Sequence, residues 1–594
     1  MRSGEVARRR TGLGVIAGIL AAAAALGVGQ LVAGLTGANG SPVVAVGQLQ
    51  IDHTPEWLKN FAISEFGSND KLALVIGILV VLAIFAAVIG ALAARRLAYG
   101  MAGVAVFGLV GLIAAATRPT ASAASVLPTL FATAAAAVAL RLLINRVPVV
   151  ETEPQAWPDS RDDDALGAAA GGLAAPSEPA APGEVAEPRE RDPLAPPDLP
   201  GGMGQLGYTG GVVRPSAEHG RDWLEGAPAR SGRSGPSGAV EPKRRSFLAA
   251  GAATAGAAVV AGLAGRALAE RSSVTTARAA IHFPKPAVPA PPLPAGVNLN
   301  IPGLTPFITS NANFYRVDTA IVLPQVDPST WQLRIHGMVN REITITFDEL
   351  LRRPLIEDYI TLCCVSNPVG GPYISNAKWL GASLGSLLRE AGIKAGADEL
   401  LCTSVDGFTS GTPVQAILDD QDALLAVAMN GQPLPVAHGF PVRMVTPGLY
   451  GYVSSCKWLT DINVTTFASS VAYWSEQGWS QQAPIKTESR IDVPGSSQIS
   501  PGRTAVAGVA WAQHKGIEAV EVRVDQGPWN EARLAAVPDI DTWRQWVWEW
   551  DATSGNHIIE ARATDKTGYT QTAVQEQPPP NGASGYPSAS VSVG

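Results

Sequence analysis

Cysteine is scarce in this chain, with four in 594 residues, at positions 363, 364, 402 and 456. So few sulfurs exclude a disulfide-stapled secreted scaffold, and no Cys-x-x-Cys pair offers a structural zinc site. Histidine is also rare, seven in all, and none falls in the apolar runs near the N-terminus. Those runs therefore hold no bis-histidine haem, and they carry no carboxylate for a proton path. A basic excess is missing too: 44 Lys and Arg against 51 Asp and Glu leave a net charge of −7. That gives no case for nucleic-acid binding, which requires a basic face.

A chain of 594 residues exceeds one domain. Its first 150 residues are rich in Ala, Leu, Val and Gly, and most aromatic residues lie after 310. Apolar runs at 11–36, 72–94, 97–116 and 126–144 each approach the length of about 20 residues that crosses a bilayer. The basic start "MRSGEVARRR", the pair Arg95 and Arg96, and Arg141 with Arg146 place the N-terminus and the end of the fourth run in the cytoplasm, with 37–71 as an outer loop. Residues 1–150 thus read as a four-span membrane anchor. Residues 151–243, rich in Pro, Ala, Gly and acid, read as a disordered cytoplasmic linker.

Residues 244–270 open with the twin arginines of "KRRSFLAAGAATAG", which starts at Lys243, before a weakly apolar run. It resembles a twin-arginine export signal, and an ordinary fifth span is the alternative. Either places the chain beyond residue 270 outside the cytoplasm. Residues 271–308 are Pro-rich and read as an extended tether or wrapping segment. Residues 309–468 mix strand and helix signals. Strands are expected at 331–339 and 342–347, and helices at 347–353 and 383–392, the second ending at Gly392. Over 484–594 the period-two runs "IEAVEVRVD", "WRQWVWEWD" and "HIIEARATD", with turn residues between them, predict an antiparallel β-sandwich. The bulky "WRQWVWEWD" strand also suggests a surface that meets a partner, hence a homodimer.

Four segments of 309–468 carry candidate chemistry. In "TLCCVSNPVGG" a free thiolate suits a metal, and a small buried apolar residue is the plainer reading of each cysteine. In "HGFPVRMVTPGLYGYVSSCKWL", His438, Arg443 and Lys457 can converge with loop amides on a phosphate, and a solvated face is the alternative for each. "NANFYRVDTA", with Asn313, Tyr315 and Arg316, and "CTSVDGFTSGT", with Ser404, say only loop when read alone.

In this order the four segments resemble the sulfite oxidase family of molybdopterin enzymes, across 309–468 and the C-terminal sandwich. The motifs are "TLCCVSN", "ISNAKWLGASL", "SVDGFT" and "HGFPVRMVTPGLYGYVSSCKWL". The resemblance implies an α+β molybdopterin domain followed by an immunoglobulin-like dimerisation domain. It implies molybdopterin as cofactor, with Cys364, three residues before Asn367, as the metal ligand and catalytic residue. It implies that Asn313, Tyr315, Arg316, Ser404, His438, Arg443, Ser455 and Lys457 hold the pterin and its phosphate, and that Cys363 is packing. The sequence departs from the family in three places. Pro368, Val369, Gly370 and Gly371 stand where sulfite-oxidising members carry basic residues, Phe408 stands where many relatives place Tyr, and "YVSSCKWL" is one residue longer before its Lys.

The resulting expectation is a multi-pass membrane protein with an extracytoplasmic molybdenum oxidoreductase. It would exchange oxygen with a small-molecule donor or acceptor, and electrons with a separate transfer protein or a quinone-linked partner. An anchored binding module that kept the fold and lost the cofactor is the alternative.

Overall fold

The computed structural model describes residues 3–36, 41–54, 70–118, 123–147, 241–271, 274–419, 422–495 and 498–594. The linker expected at 151–243 lies outside them, apart from residues 241–243.

Six helices form the apolar part: α1 (Ser3–Thr36), α2 (Pro42–His53), α3 (Asp70–Arg95), α4 (Leu97–Ala116), α5 (Leu127–Ile144) and α6 (Glu241–Arg271). All but α2 are long and apolar enough to cross a membrane. Small residues bring α1 close to its neighbours. A Cβ on Gly18 would stand 2.0 Å from the Ala86 carbonyl oxygen of α3, and one on Gly34 would stand 2.5 Å from that of Gly265 in α6. Backbones that approach so closely replace the hydrophobic drive that lipid cannot supply. Helix α2 corrects the expectation of a loop across 37–71. It starts at Pro42, whose fixed φ suits a first helical turn, and Ala45 packs on Ala114 and Ala115 of α4. That contact cannot be seen from the local sequence.

Residues 274–308 wrap the folded region. The Ala287 N–H donates to the Leu355 carbonyl at 2.8 Å, and Phe307 is fully buried. Beyond them two sheets carry the site. The first has the order β2-β1-β10-β5-β6, from β1 (Gln332–Gly337), β2 (Ile343–Thr346), β5 (Glu399–Ser404), β6 (Thr409–Pro413) and β10 (Leu459–Thr465). The second has the order β3-β4-β7-β8, with β9 also on β7. Its strands are β3 (Leu355–Cys363), β4 (Ile374–Ser383), β7 (Leu424–Met429), β8 (Gln432–Pro433) and β9 (Arg443–Val445).

Local signals decide the helices between these strands. Thr346 and Glu349 form a capping box that starts α7 (Phe347–Leu351). Ser383 caps α8 (Leu384–Ala391), and Gly392, at φ 69°, ends it.

The C-terminal region is β-rich, as expected. One sheet has the order β11-β13-β17-β16 and the other β12-β19-β18-β14-β15. The strands are β11 (Glu488–Val493), β12 (Gln498–Ile499), β13 (Gly502–Trp511), β14 (Ile517–Val524), β15 (Asn530–Glu531), β16 (Arg533–Leu534), β17 (Arg544–Ala552), β18 (Gly555–Asp565) and β19 (Ser588–Val593). Val506, Trp546 and Trp550 of the first sheet share a core with Val520, Ile559 and Ala561 of the second.

The tryptophans of β17 do not form a partner surface. Trp546, Trp548 and Trp550 have the same parity, so they share one face and pack into this core. On the opposite face Gln545 is covered by the wrapping segment: it accepts from the Leu299 N–H at 2.8 Å and donates to the Thr305 carbonyl at 2.7 Å.

Candidate functional site

Strand alternation explains the paired cysteines. Along β3, Ile360 and Leu362 face a cluster with Phe314, Trp379, Phe440 and Val445. Tyr359 and Cys363 face the opposite way, among Tyr450, Trp511 and Trp543. Cys363 is thus core, and burial pushes its thiol well above the ordinary range. The strand ends there, and Cys364 enters a turn while belonging to neither cluster.

That turn is tightly tied. The Cys364 N–H donates to the Tyr373 carbonyl (2.9 Å), the Asn367 N–H to the Cys364 carbonyl (3.0 Å), and the Tyr373 N–H to Asn367 Oδ1 (2.7 Å). The Cys364 sulfur lies 3.5 Å from the Ser366 hydroxyl. Burial raises its pKa, while the Ser366 contacts and the Lys457 charge pull it down.

Tyr315 and Arg316 come from the chain entry before β1. The Tyr315 N–H donates to the Ser375 hydroxyl (3.1 Å), and its ring stacks on Phe314. Burial, then the two cysteines, push its phenol up, and Arg443 opposes them. Phe314 also meets His438 edge-on, at 5.4 Å between ring centroids.

His438, Arg443 and Lys457 are drawn together at Gly439. This residue has φ 105°, and a Cβ there would stand 2.9 Å from that of Arg443 and 3.1 Å from that of Lys457. Only glycine takes both the angle and the approach. His438 is buried, and burial followed by the Arg443 and Lys457 charges lowers its pKa to about 3. Its ring is therefore neutral.

Arg443 is 5% exposed, lies 5.2 Å from the Trp379 ring centroid, and donates to the carbonyls of Met444, His438 and Ser455 at 3.3–3.4 Å. No carboxylate among the described residues pairs with it, and burial lowers its pKa to about 10. Buried cations are normally paired, so this guanidinium is arranged for an anion. Lys457 is held by Asp318 at 2.9 Å, and Asp318 also binds Arg316 at 2.8 Å.

The other expected residues divide. Ser455 is buried at the same cluster, its carbonyl accepting from Arg443. Ser404 pairs with Leu459 across β5 and β10, two residues from Lys457, but its hydroxyl accepts from the Asp406 N–H of its own turn. Asn313 is exposed, and its backbone N–H donates to the Ser310 carbonyl.

Sequence reasoning missed three groups. Asp318 shares its charge between two cations; it stands two residues after Arg316, and that spacing was a usable signal. Trp379 lies under Arg443, inside the motif "ISNAKWLGASL". The Asn311 backbone carbonyl accepts a hydrogen bond from the His438 ring; Asn311 opens the segment "NANFYRVDTA", but nothing local marks this role.

The donor set fits an anionic pterin. It offers a thiol outside the apolar core, an unpaired buried guanidinium, and a lysine and a serine on the same loop.

Residues 320–474 match the family described as oxidoreductase molybdopterin binding domain. This range contains Cys364, Ser404, His438, Arg443, Ser455 and Lys457. The chain is 31% identical over 294 residues to sulfite oxidase of Gallus gallus, covering 42% of this chain and 63% of that protein. It is 29% identical over 286 residues to mitochondrial sulfite oxidase of Rattus norvegicus, covering 41% and 52%. It is 31% identical over 153 residues to the uncharacterized oxidoreductase YuiH of Bacillus subtilis, covering 26% of this chain and 74% of that one. The chain therefore spans between half and two thirds of the length of the two sulfite oxidases. A partial likeness links it to the sulfane dehydrogenase SoxCD of Paracoccus pantotrophus, with TM-score 0.41, 23% identity, and coverage of 45% of this chain and 75% of that one.

Proposed function

The chain belongs to the sulfite oxidase family of molybdopterin oxidoreductases, and from that premise we propose that it catalyses two-electron oxo transfer outside the cytoplasm. The carrying observation is that Cys364 and a buried, unpaired Arg443 both bear on the Tyr315 phenol, and that the Lys457 charge bears on Cys364. When bound, molybdopterin supplies a metal that cycles through two electrons and exchanges oxygen with a substrate. The protein holds and orients it. Cys364 would be the thiolate ligand, and Arg443, Lys457 and Ser455 would take the phosphate. Neutral His438, Tyr315 and Arg316 would help hold the pterin, with Ser404 and Asn313 as further candidates. Substrate is a small oxo donor or acceptor, and electrons pass to or from a separate protein or a quinone-linked partner.

Anchoring by five helices that can span a membrane supports a multi-pass membrane protein. The domain division at 150, 243, 270, 308, 468 and 484, the immunoglobulin-like character of the C-terminal sheets and twin-arginine export belong to the same proposal. With the β17 tryptophans turned inward, a homodimer through 484–575 rests on the family resemblance. Metal analysis of the purified full chain tests the central reading: about one molybdenum per chain supports it, and none overturns it. Replacing Arg244 and Arg245 together with Lys tests export, since a domain still outside intact spheroplasts with full metal content removes the twin-arginine route.

A further inference from the structure

The turn that carries Cys364 holds an unused donor and no charge. Asn367 is 3% exposed. Its Oδ1 accepts from the Tyr373 N–H at 2.7 Å, which fixes which end of the amide is oxygen. Its Nδ2 has no hydrogen-bond partner. Buried polar groups are almost always satisfied, so an orphan donor in the same turn as Cys364 calls for an acceptor. Ser366, Pro368, Val369, Gly370, Gly371 and Pro372, around it, are uncharged.

The cations nearby are already committed. Arg443, Arg316 and Lys457 against Asp318 leave two net positive charges, since His438 is neutral. A phosphate monoester carries about −1.5 to −2 at neutral pH, so the cofactor absorbs that charge. Arg490 reaches the turn, its Nη1 donating to the Gly371 carbonyl at 3.3 Å, but Asp492 pairs with it at 2.6 Å. No net positive charge among these residues remains for a substrate anion, which would also meet the Cys364 thiolate.

We infer that the substrate of this site is an uncharged oxo compound, such as a sulfoxide or its reduced form, and that Asn367 Nδ2 donates to its oxygen. The inference rests on the molybdopterin reading and names the substrate class of the same site.

The test uses the full chain in mild detergent with molybdenum quantified first. Dimethyl sulfoxide is offered with reduced viologen: the S–O bond breaks, its oxygen leaves as water with two protons, and two viologen radicals supply the two electrons. Sulfite is offered with ferricyanide. The expected kcat/KM is at least 100-fold higher for the sulfoxide, and the sulfoxide, unlike sulfite, raises the melting temperature of the loaded protein. Asn367→Asp keeps the oxygen that holds Tyr373 and removes the donor. It is expected to raise the sulfoxide KM at least tenfold and to abolish the thermal shift at unchanged molybdenum content. Val369→Arg, which leaves Asn367 intact, is expected to raise sulfite kcat/KM at least tenfold. Sulfite turnover equal to or above that of the sulfoxide overturns the inference, as does a loaded Asn367→Asp variant that keeps both KM and thermal shift. A protein without molybdenum overturns the cofactor reading instead.

Discussion

The two sides of β3 bury different things. The Cys363 side is a mixed apolar and polar core shared with the C-terminal sheets: the Trp543 N–H donates to the Thr361 hydroxyl (2.8 Å), and its indole to the Phe307 carbonyl (2.8 Å). That side too leaves buried polar atoms without partners, the Trp511 indole, Glu488 Oε1 and Gln513 Oε1 among them. The other side ends in the turn of Cys364 and the loop of Arg443, where a cation lacks a carboxylate and an amide lacks an acceptor. Hydrogen-bond satisfaction therefore does not separate the two sides; a buried cation without a carboxylate, in the loop that shares Tyr315 with a thiol outside the apolar core, does.

The sharpest break of this comparison is a pair of substitutions one residue apart. Cys364→Ser is expected to abolish turnover and change the molybdenum spectrum. Cys363→Ser should keep both and cost about 1–3 kcal/mol, because it buries a hydroxyl in an apolar cluster. Turnover assays and chemical denaturation check both, and the reverse result removes the ligand assignment.

Next comes Arg443→Met. It should lower molybdopterin retention at least tenfold, measured as bound molybdenum after gel filtration. The cofactor-free protein should lose no melting temperature, because an unpaired buried charge is relieved. A clear fall in the cofactor-free protein would make Arg443 an ordinary structural residue.

A smaller effect is expected at Gly439. Gly439→Ala forces a side chain into φ 105° and against Arg443, for about 1–3 kcal/mol of stability. It should also weaken cofactor retention, since it spreads His438, Arg443 and Lys457. Denaturation with a parallel metal assay reads both, and loss of stability at full retention would separate this glycine from the site.

The effects most spread out over conditions are in pH dependence, and the two sides should respond in opposite directions. Burial raises the Glu488 carboxyl, on the Cys363 side, to about 8. The native state then binds a proton that the unfolded state has released, so stability falls as pH rises from about 4.5 to 8. His438, on the site side, is lowered to about 3. There the unfolded state binds the extra proton, so stability falls as pH drops from about 6.5 towards 3. Each slope is worth a few kcal/mol at most. Melting curves against pH for Glu488→Gln and His438→Gln should each flatten only their own limb.

Much was legible in the chain itself. The apolar runs, the capping of α8 by Ser383 and Gly392, and the period-two strands of the C-terminal region follow from local chemistry, because side-chain pattern and backbone preference act over a few residues. The choice of Cys364 over Cys363 came from motif resemblance, and the alternation of β3 supplies a physical reason for it. Other features needed the folded chain. Helix α2 forms because Ala45 finds α4. The β17 tryptophans turn inward because a second sheet and the wrapping segment cover both faces. Asp318 pairs with both Arg316 and Lys457, the second of them 139 residues away, and the Asn367 amide is left over only once Tyr373 has taken its oxygen. Sequence determined which residue types could bind a metal and a phosphate. Tertiary structure decided which charges remain unspent, because pairing and burial depend on neighbours that lie far apart along the chain.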